Sequence, residues 1–207
     1  MIFIWGFRMR ASKVSEGEFF CPKCGADRHY VLQRFRRWFT FFFIPIFPTG
    51  GSKGEQVKCQ TCGTSFRPEV LQTPTSAVLT DTIRDSMRSA VVAMLNAGSS
   101  WDPAARKAGV DAIASTGAAG YNDANLSADL SSMNGGELPA QLGRLSPGLN
   151  AQGKEMFITR LAQIAVADGS MSDGERSVLD MVGASLGLSA TYVLGIVTAV
   201  SNNTRRY

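Results

Sequence analysis

A chain of 207 residues has room for one ordinary domain or two small ones. With 44% hydrophobic and 18% charged residues it has a globular rather than a disordered composition. The net charge of +4 is uneven: residues 1–72 hold eleven Lys and Arg against five Asp and Glu, and residues 73–207 hold ten against twelve.

The opening MIFIWGF lacks the basic n-region, long apolar h-region and small-residue cleavage site of a secretory signal, so the expectation is an intracellular, cytoplasmic protein. Strand-like runs are expected at Ile2–Trp5, Tyr30–Phe35, Trp38–Ile46 and Glu55–Lys58, divided by Gly and Pro. Two Cys-x-x-Cys-Gly units, CPKCG at Cys21 and Cys24 and CQTCG at Cys59 and Cys62, lie among them. Two residues between cysteines let both thiolates reach one ion from a tight turn, and glycine supplies the backbone freedom that follows. Two such turns predict a closed tetrahedral site for one structural Zn2+, with no position left for water. A single pair would fit a redox motif; two pairs outside a βαβ pattern do not. His29, five residues past Cys24, is expected to be a solvated side chain. Four bound thiolates and one Zn2+ carry about −2, which offsets part of the basic surplus.

Between the knuckles, Arg34, Arg36, Arg37 and Trp38 run into an apolar stretch containing Phe43 and Phe47. Three readings stay open there: the core of a small sheet, a surface docked on a membrane or protein, or a platform for single-stranded nucleic acid. Eleven residues with two prolines cannot span a bilayer, which needs about 20. Pro48 to Gly54 is a turn by composition, and Gln72–Thr75 reads as a linker.

Beyond the linker the apolar period changes from two to about 3.6. A helix is expected from Ser76 to about Asn96, with Val78/Leu79, Ile83, Met87, Val91 and Met94/Leu95 on its inner stripe. Asp102-Pro103 opens a second helix, although Gly109 argues against its regularity. A weaker one carries Leu126, Leu130 and Met133, and a short one Leu138, Leu142 and Leu145. Then come Asn150–Val166, with Met156, Phe157, Leu161 and Ile164 inward, Ser172–Leu186, and a last helix opening at Ser189.

Residues 1–71, with IWG, CPKCG, RRWFTFFFIPIFPTG and CQTCG, resemble a small zinc-ribbon family often found at protein N-termini. Residues from about 77 to 201 resemble the TerB-like tellurite-resistance domain, a bacterial all-helical fold also similar to the N-terminal part of a membrane-anchored DnaJ-type co-chaperone. IAVADGSMSDGER, from Ile164 to Arg176, carries that likeness. The implied architecture is α+β: a zinc ribbon over 1–71, a linker over 72–76 and a helical domain over 77–207. The second likeness implies a duplicated helical unit, with Ala93–Arg106 as the faded copy of Ala165–Arg176. It also implies a second metal on Asp168 and Glu175, but Asn96 and Ala105 replace the acids in the other copy. Physically, Ser172-x-x-Glu175 is a capping box and Asp168-Gly169 a helix-ending turn, and neither needs an ion.

No phosphate loop, nucleophile elbow or His-containing metal motif is present, so catalysis on a small-molecule substrate is not expected. The expected role is a non-enzymatic zinc-binding adaptor acting through protein contacts in stress response, peripheral to the inner face of the membrane. The alternative is a nucleic-acid-binding accessory using Arg34, Arg36 and Arg37.

Overall fold

The structure is a computed structural model; it describes residues 5–41, 44–51, 54–98, 101–133 and 136–204, the side chains of Trp5 and Thr204 excepted. The chain divides into two compact units, Met1–Ala77 and Val78–Tyr207, and the whole is α+β.

In the first unit two long strands, β1 (Trp5–Cys21) and β2 (Ala26–Phe41), form one antiparallel hairpin. At about 3.3 Å per residue it is roughly 50 Å long. The opposite edge of β2 carries two short strands in succession: β3 (Ile44–Pro48) pairs with its far end and β4 (Glu55–Cys59) with its middle. A two-residue strand, β5 (Ser65–Phe66), completes the sheet beside β4. Pro45 and Pro48 confine β3 to an edge, since proline cannot donate to a ladder.

Three sequence expectations change here. The strand placed at Ile2–Trp5 meets the described residues only at Trp5, where β1 begins and continues to Cys21. The two runs split at Arg36-Arg37 are one strand, because both arginines pair with β1. The run reaching Ile46 is broken, its later part being β3, while Phe42 and Phe43 lie outside the described residues.

The core of this unit is small and sits at the cysteine end. Phe19, Cys21, Val57 and Cys59 are buried, with Tyr30, Leu32, Phe66, Val70 and Leu71 packed around them. Phe19 meets Tyr30 and Phe66 edge-on at 5.6 and 6.0 Å.

Seven helices are described in the second unit and its approach: α1 (Ser76–Ala97), α2 (Pro103–Ala114), α3 (Asp123–Ser132), α4 (Leu138–Leu145), α5 (Ala151–Ala165), α6 (Asp173–Ser185) and α7 (Ala190–Thr204). Their starts follow local chemistry. Asp102 accepts hydrogen bonds from the Ala104 and Ala105 N–H groups, and Asn150 caps α5 through Gly153 N–H. Asn122 with Asn125, and Ser172 with Glu175, form reciprocal capping boxes. The inner stripes converge on one core that includes Met94, Ile113, Leu126, Leu142, Leu161, Leu179 and Leu186. Each such side chain contributes about 1.5–3 kcal/mol by leaving water. Met156, expected inside, is exposed; its neighbour Phe157 takes the core position one residue on. Gly109, which counted against α2, is where that helix meets α1: a Cβ there would lie 2.9 Å from Val91 Cγ1.

Candidate metal centre

Each knuckle is the turn between two paired strands. Cys21 closes β1, the chain turns through Pro22–Gly25, and β2 begins at Ala26 directly opposite Cys21. Gly25 N–H donates to Cys21 O at 2.9 Å. The second knuckle repeats this after β4, with Gly63 N–H donating to Cys59 O at 3.0 Å. Gly25 and Gly63 have φ of 65° and 70°, in the left-handed region that favours glycine. Tyr30 pairs with Cys59 across β2 and β4, so the sheet register carries one knuckle to the other.

The four Sγ atoms lie within 4.8 Å of one another, and Cys21 Sγ is 3.9 Å from Cys62 Sγ. A tetrahedron with Zn–S bonds of about 2.3 Å has sulfur–sulfur edges of about 3.8 Å, while a disulfide needs about 2.05 Å. The spacing fits a metal and not a bridge. Cys21 and Cys59 are buried, and Cys24 and Cys62 half-buried.

The electrostatics of the thiols agree. Hydrogen bonds from the Thr64 hydroxyl and backbone N–H lower Cys62 to about 6. Burial first, and then the surrounding thiols, push Cys24 up to about 12. Without a cation the cluster resists full deprotonation; a dication at its centre stabilises four thiolates together. Among the described residues this is the one group of three or more His, Cys, Asp or Glu side chains close enough to hold an ion. His29 is outside it, exposed and 3.6 Å from Glu18 across the β1–β2 pair.

The other singled-out residues fall elsewhere. Glu175 is buried in its capping box, taking the Ser172 N–H and hydroxyl at 2.8 Å each. Asp168 accepts the Ser170 N–H at 3.1 Å in the turn after α5. Ala105 lies in the hydrophobic core. Arg34 is held by Glu55, with Nε at 2.8 Å and Nη2 at 2.6 Å from Oε1. Arg36 and Arg37 are exposed, Trp38 is half-buried and Phe47 exposed at the far end of the hairpin, while Phe43 lies outside the described residues. Sequence reasoning missed β1 as the partner of the basic stretch, with Phe7, Arg8, Met9 and Arg10 on it.

Residues 19–81 match a zinc-ribbon family model, which takes in both knuckles and all of β2 to β5. No curated protein and no solved structure matches the chain. The chain therefore opens with a zinc ribbon that binds one structural Zn2+ through Cys21, Cys24, Cys59 and Cys62. Most of β1, from Trp5 to Glu18, lies before the matched segment.

Proposed function

We propose that the protein is a non-enzymatic adaptor, in which the zinc ribbon holds a binding hairpin and a TerB-like helical unit supplies a protein-contact surface. The observation that carries this reading is the closed sulfur cluster: four thiols at tetrahedral spacing use every coordination position. Zinc there fixes turns and strands rather than activating water. The hairpin supports a binding role because it extends well past its own small core and exposes aromatic and arginine side chains at the far end.

Cobalt substitution tests the reading. The Co2+-loaded protein should show thiolate charge-transfer and tetrahedral d–d bands that do not move when azide is added. Bands that shift with azide would reveal an exchangeable position and overturn the structural role. On the partner side, the intact protein purified from its native cells should co-elute with a partner that Cys59→Ser fails to retain. Equal retention by that variant counts against a ribbon-held binding surface.

A further inference from the structure

The end of the sheet farthest from the cysteines has an ordering of residues that zinc binding does not require. Residues 5–7 read WGF and residues 39–47 read FTFFFIPIF, without a charge in either. One step back, strand register sets Arg8 opposite Trp38, Met9 opposite Arg37 and Arg10 opposite Arg36. Alternation along the strands puts Arg8, Arg10 and Arg36 on one face and Arg37 on the other. Cations thus occur on both faces at one axial level, and among the described residues of the sheet only uncharged ones lie beyond it.

The apolar end is open to solvent. Phe7 is 44% exposed, Ile44 66%, Ile46 54% and Phe47 50%. Phe7, Phe39 and Phe47 make a ladder across three strands, with centroids 5.8 and 5.3 Å apart, and the Arg37 guanidinium lies 3.7 Å above the Phe7 ring. This arrangement also carries an electrostatic cost, because like charges directly opposite on a sheet repel and Arg10 faces Arg36. No Asp or Glu occurs between residues 5 and 15 or between 28 and 54 to relieve it. An anionic partner would relieve the repulsion and cover the apolar groups at once.

Resting on the reading of the ribbon as a zinc-held support, we infer that this end of the hairpin docks on a membrane surface of anionic lipid. Phe7, Phe41, Ile44, Ile46 and Phe47 enter the headgroup–acyl boundary, and Arg10, Arg36 and Arg37 meet the phosphates. The dimensions agree. From the level of Arg8 and Trp38 to that of Trp5 and Phe41 is three residues, about 10 Å. Interfacial elements bury their apolar groups about 5–10 Å deep. A folded protein would complement one face of the sheet, whereas cations on both faces at one level suit a plane. No helix of the described residues is long and apolar enough to cross a membrane, so this contact is peripheral.

The test is flotation of the intact protein with vesicles of phosphatidylcholine alone, or with about a quarter phosphatidylglycerol, at about 0.05 M and 0.5 M salt. Wild type should float with the anionic vesicles and lose most of that binding at high salt. Ile44→Asp with Ile46→Asp should weaken partitioning at least about tenfold, from two apolar side chains withheld from lipid. Arg10→Glu with Arg36→Glu should weaken it about fivefold or more per arginine. Zinc content and circular dichroism verify that each variant is folded, and the arginine pair, lying on the surface, serves if the isoleucine pair is not. Wild type left at the bottom of the gradient with anionic vesicles overturns the inference. So does an Ile44→Asp, Ile46→Asp protein that floats like wild type, or a wild type that binds oligouridylate while anionic vesicles fail to compete for it. The cobalt spectrum decides the zinc reading separately.

Discussion

Asp129, on α3, receives three charged or polar contacts at once. Arg88 on α1 reaches its two oxygens at 2.6 and 2.8 Å, and the Tyr121 hydroxyl donates at 2.6 Å. The carboxylate is almost fully buried while Arg88 is one-third exposed. Arg88 holds the Asp129 carboxyl below the usual carboxylate range, and burial raises Tyr121 above the usual phenol range. A depressed acid stabilises the fold above its unfolded pKa of about 3.9 and loses that contribution as pH falls through the folded value. The raised phenol acts in the opposite sense, contributing below about pH 10 and fading as pH rises further. Asp129→Ala should lower stability by about 2 kcal/mol, since one partner stays half-solvated. Asp129→Asn should flatten the acid limb of a melting-temperature profile taken between about pH 6 and 3; an unchanged limb would show that other carboxylates set it. Gly183 on α6 is a second position of this kind, because a Cβ there would collide with Val193 Cγ2 on α7. Gly183→Ala should cost about 1–3 kcal/mol in chemical denaturation. Neither feature was legible in the sequence. A glycine within a helix reads as a weakness until its neighbour is known, and Asp129 among serines reads as solvated.

At the scale of elements, the helices were legible and the hairpin only in part. Asp102-Pro103, Asn150 and Ser172 announce helix starts through groups that satisfy free N–H donors within three residues, so the signal is local. Strand β1 has no such signal. Its middle, Ala11 to Glu16, is exposed on both faces, and its hydrogen bonds come from residues about twenty away. The apolar alternation of β2 also changes phase. Near the cysteines Tyr30 and Leu32 face the core, while farther out Phe35, Phe39 and Phe41 lie on the other face. A phase change inside one strand reads as two strands, which is why Arg36-Arg37 looked like a break. The extra residue Val14 shifts the β1 register between Lys13 and Ser15, so β1 changes face in step with its partner. Deleting Val14 would leave Ser15 opposite Leu32 and Lys13 opposite Gln33, so the ladder becomes regular and every outer pair keeps its face. The expected outcome is a protein that keeps zinc and keeps amide protection over Phe7–Ala11 in hydrogen exchange. Lost protection there would show that the bulge itself is needed for the outer pairing.

For the whole molecule, the two units hold separate cores of very different size. The ribbon core of a few side chains is too small to stand unaided, and zinc sites in such modules contribute roughly 10–16 kcal/mol. The helical unit has a core of ordinary extent. Chelation, or Cys59→Ser, should therefore abolish the near-ultraviolet signal of the ribbon while the helical melting transition persists. A single transition lost from both would show that the units fold as one. The knuckles were legible because four ligands at fixed spacing define a metal site before any fold is known. The far end of the hairpin was not, since its arginines could be sorted onto faces only after β1 supplied the register.

The first knuckle is also the turn of the long hairpin, and this gives the ion a reach beyond its ligands. Sliding β1 past β2 by one residue would turn the outer part of β1 over relative to β2 and carry Phe7 from the face of Phe39 and Arg37 to that of Arg36 and Trp38. Few interlocking side chains oppose such a slip in the solvated middle of the hairpin. Cys21 and Cys24, bound to the same ion as Cys59 and Cys62, peg the two strands at their origin and work against it. Zinc then acts as a vernier stop: a fixed point at one end of a ruler that sets which residues stand side by side at the other.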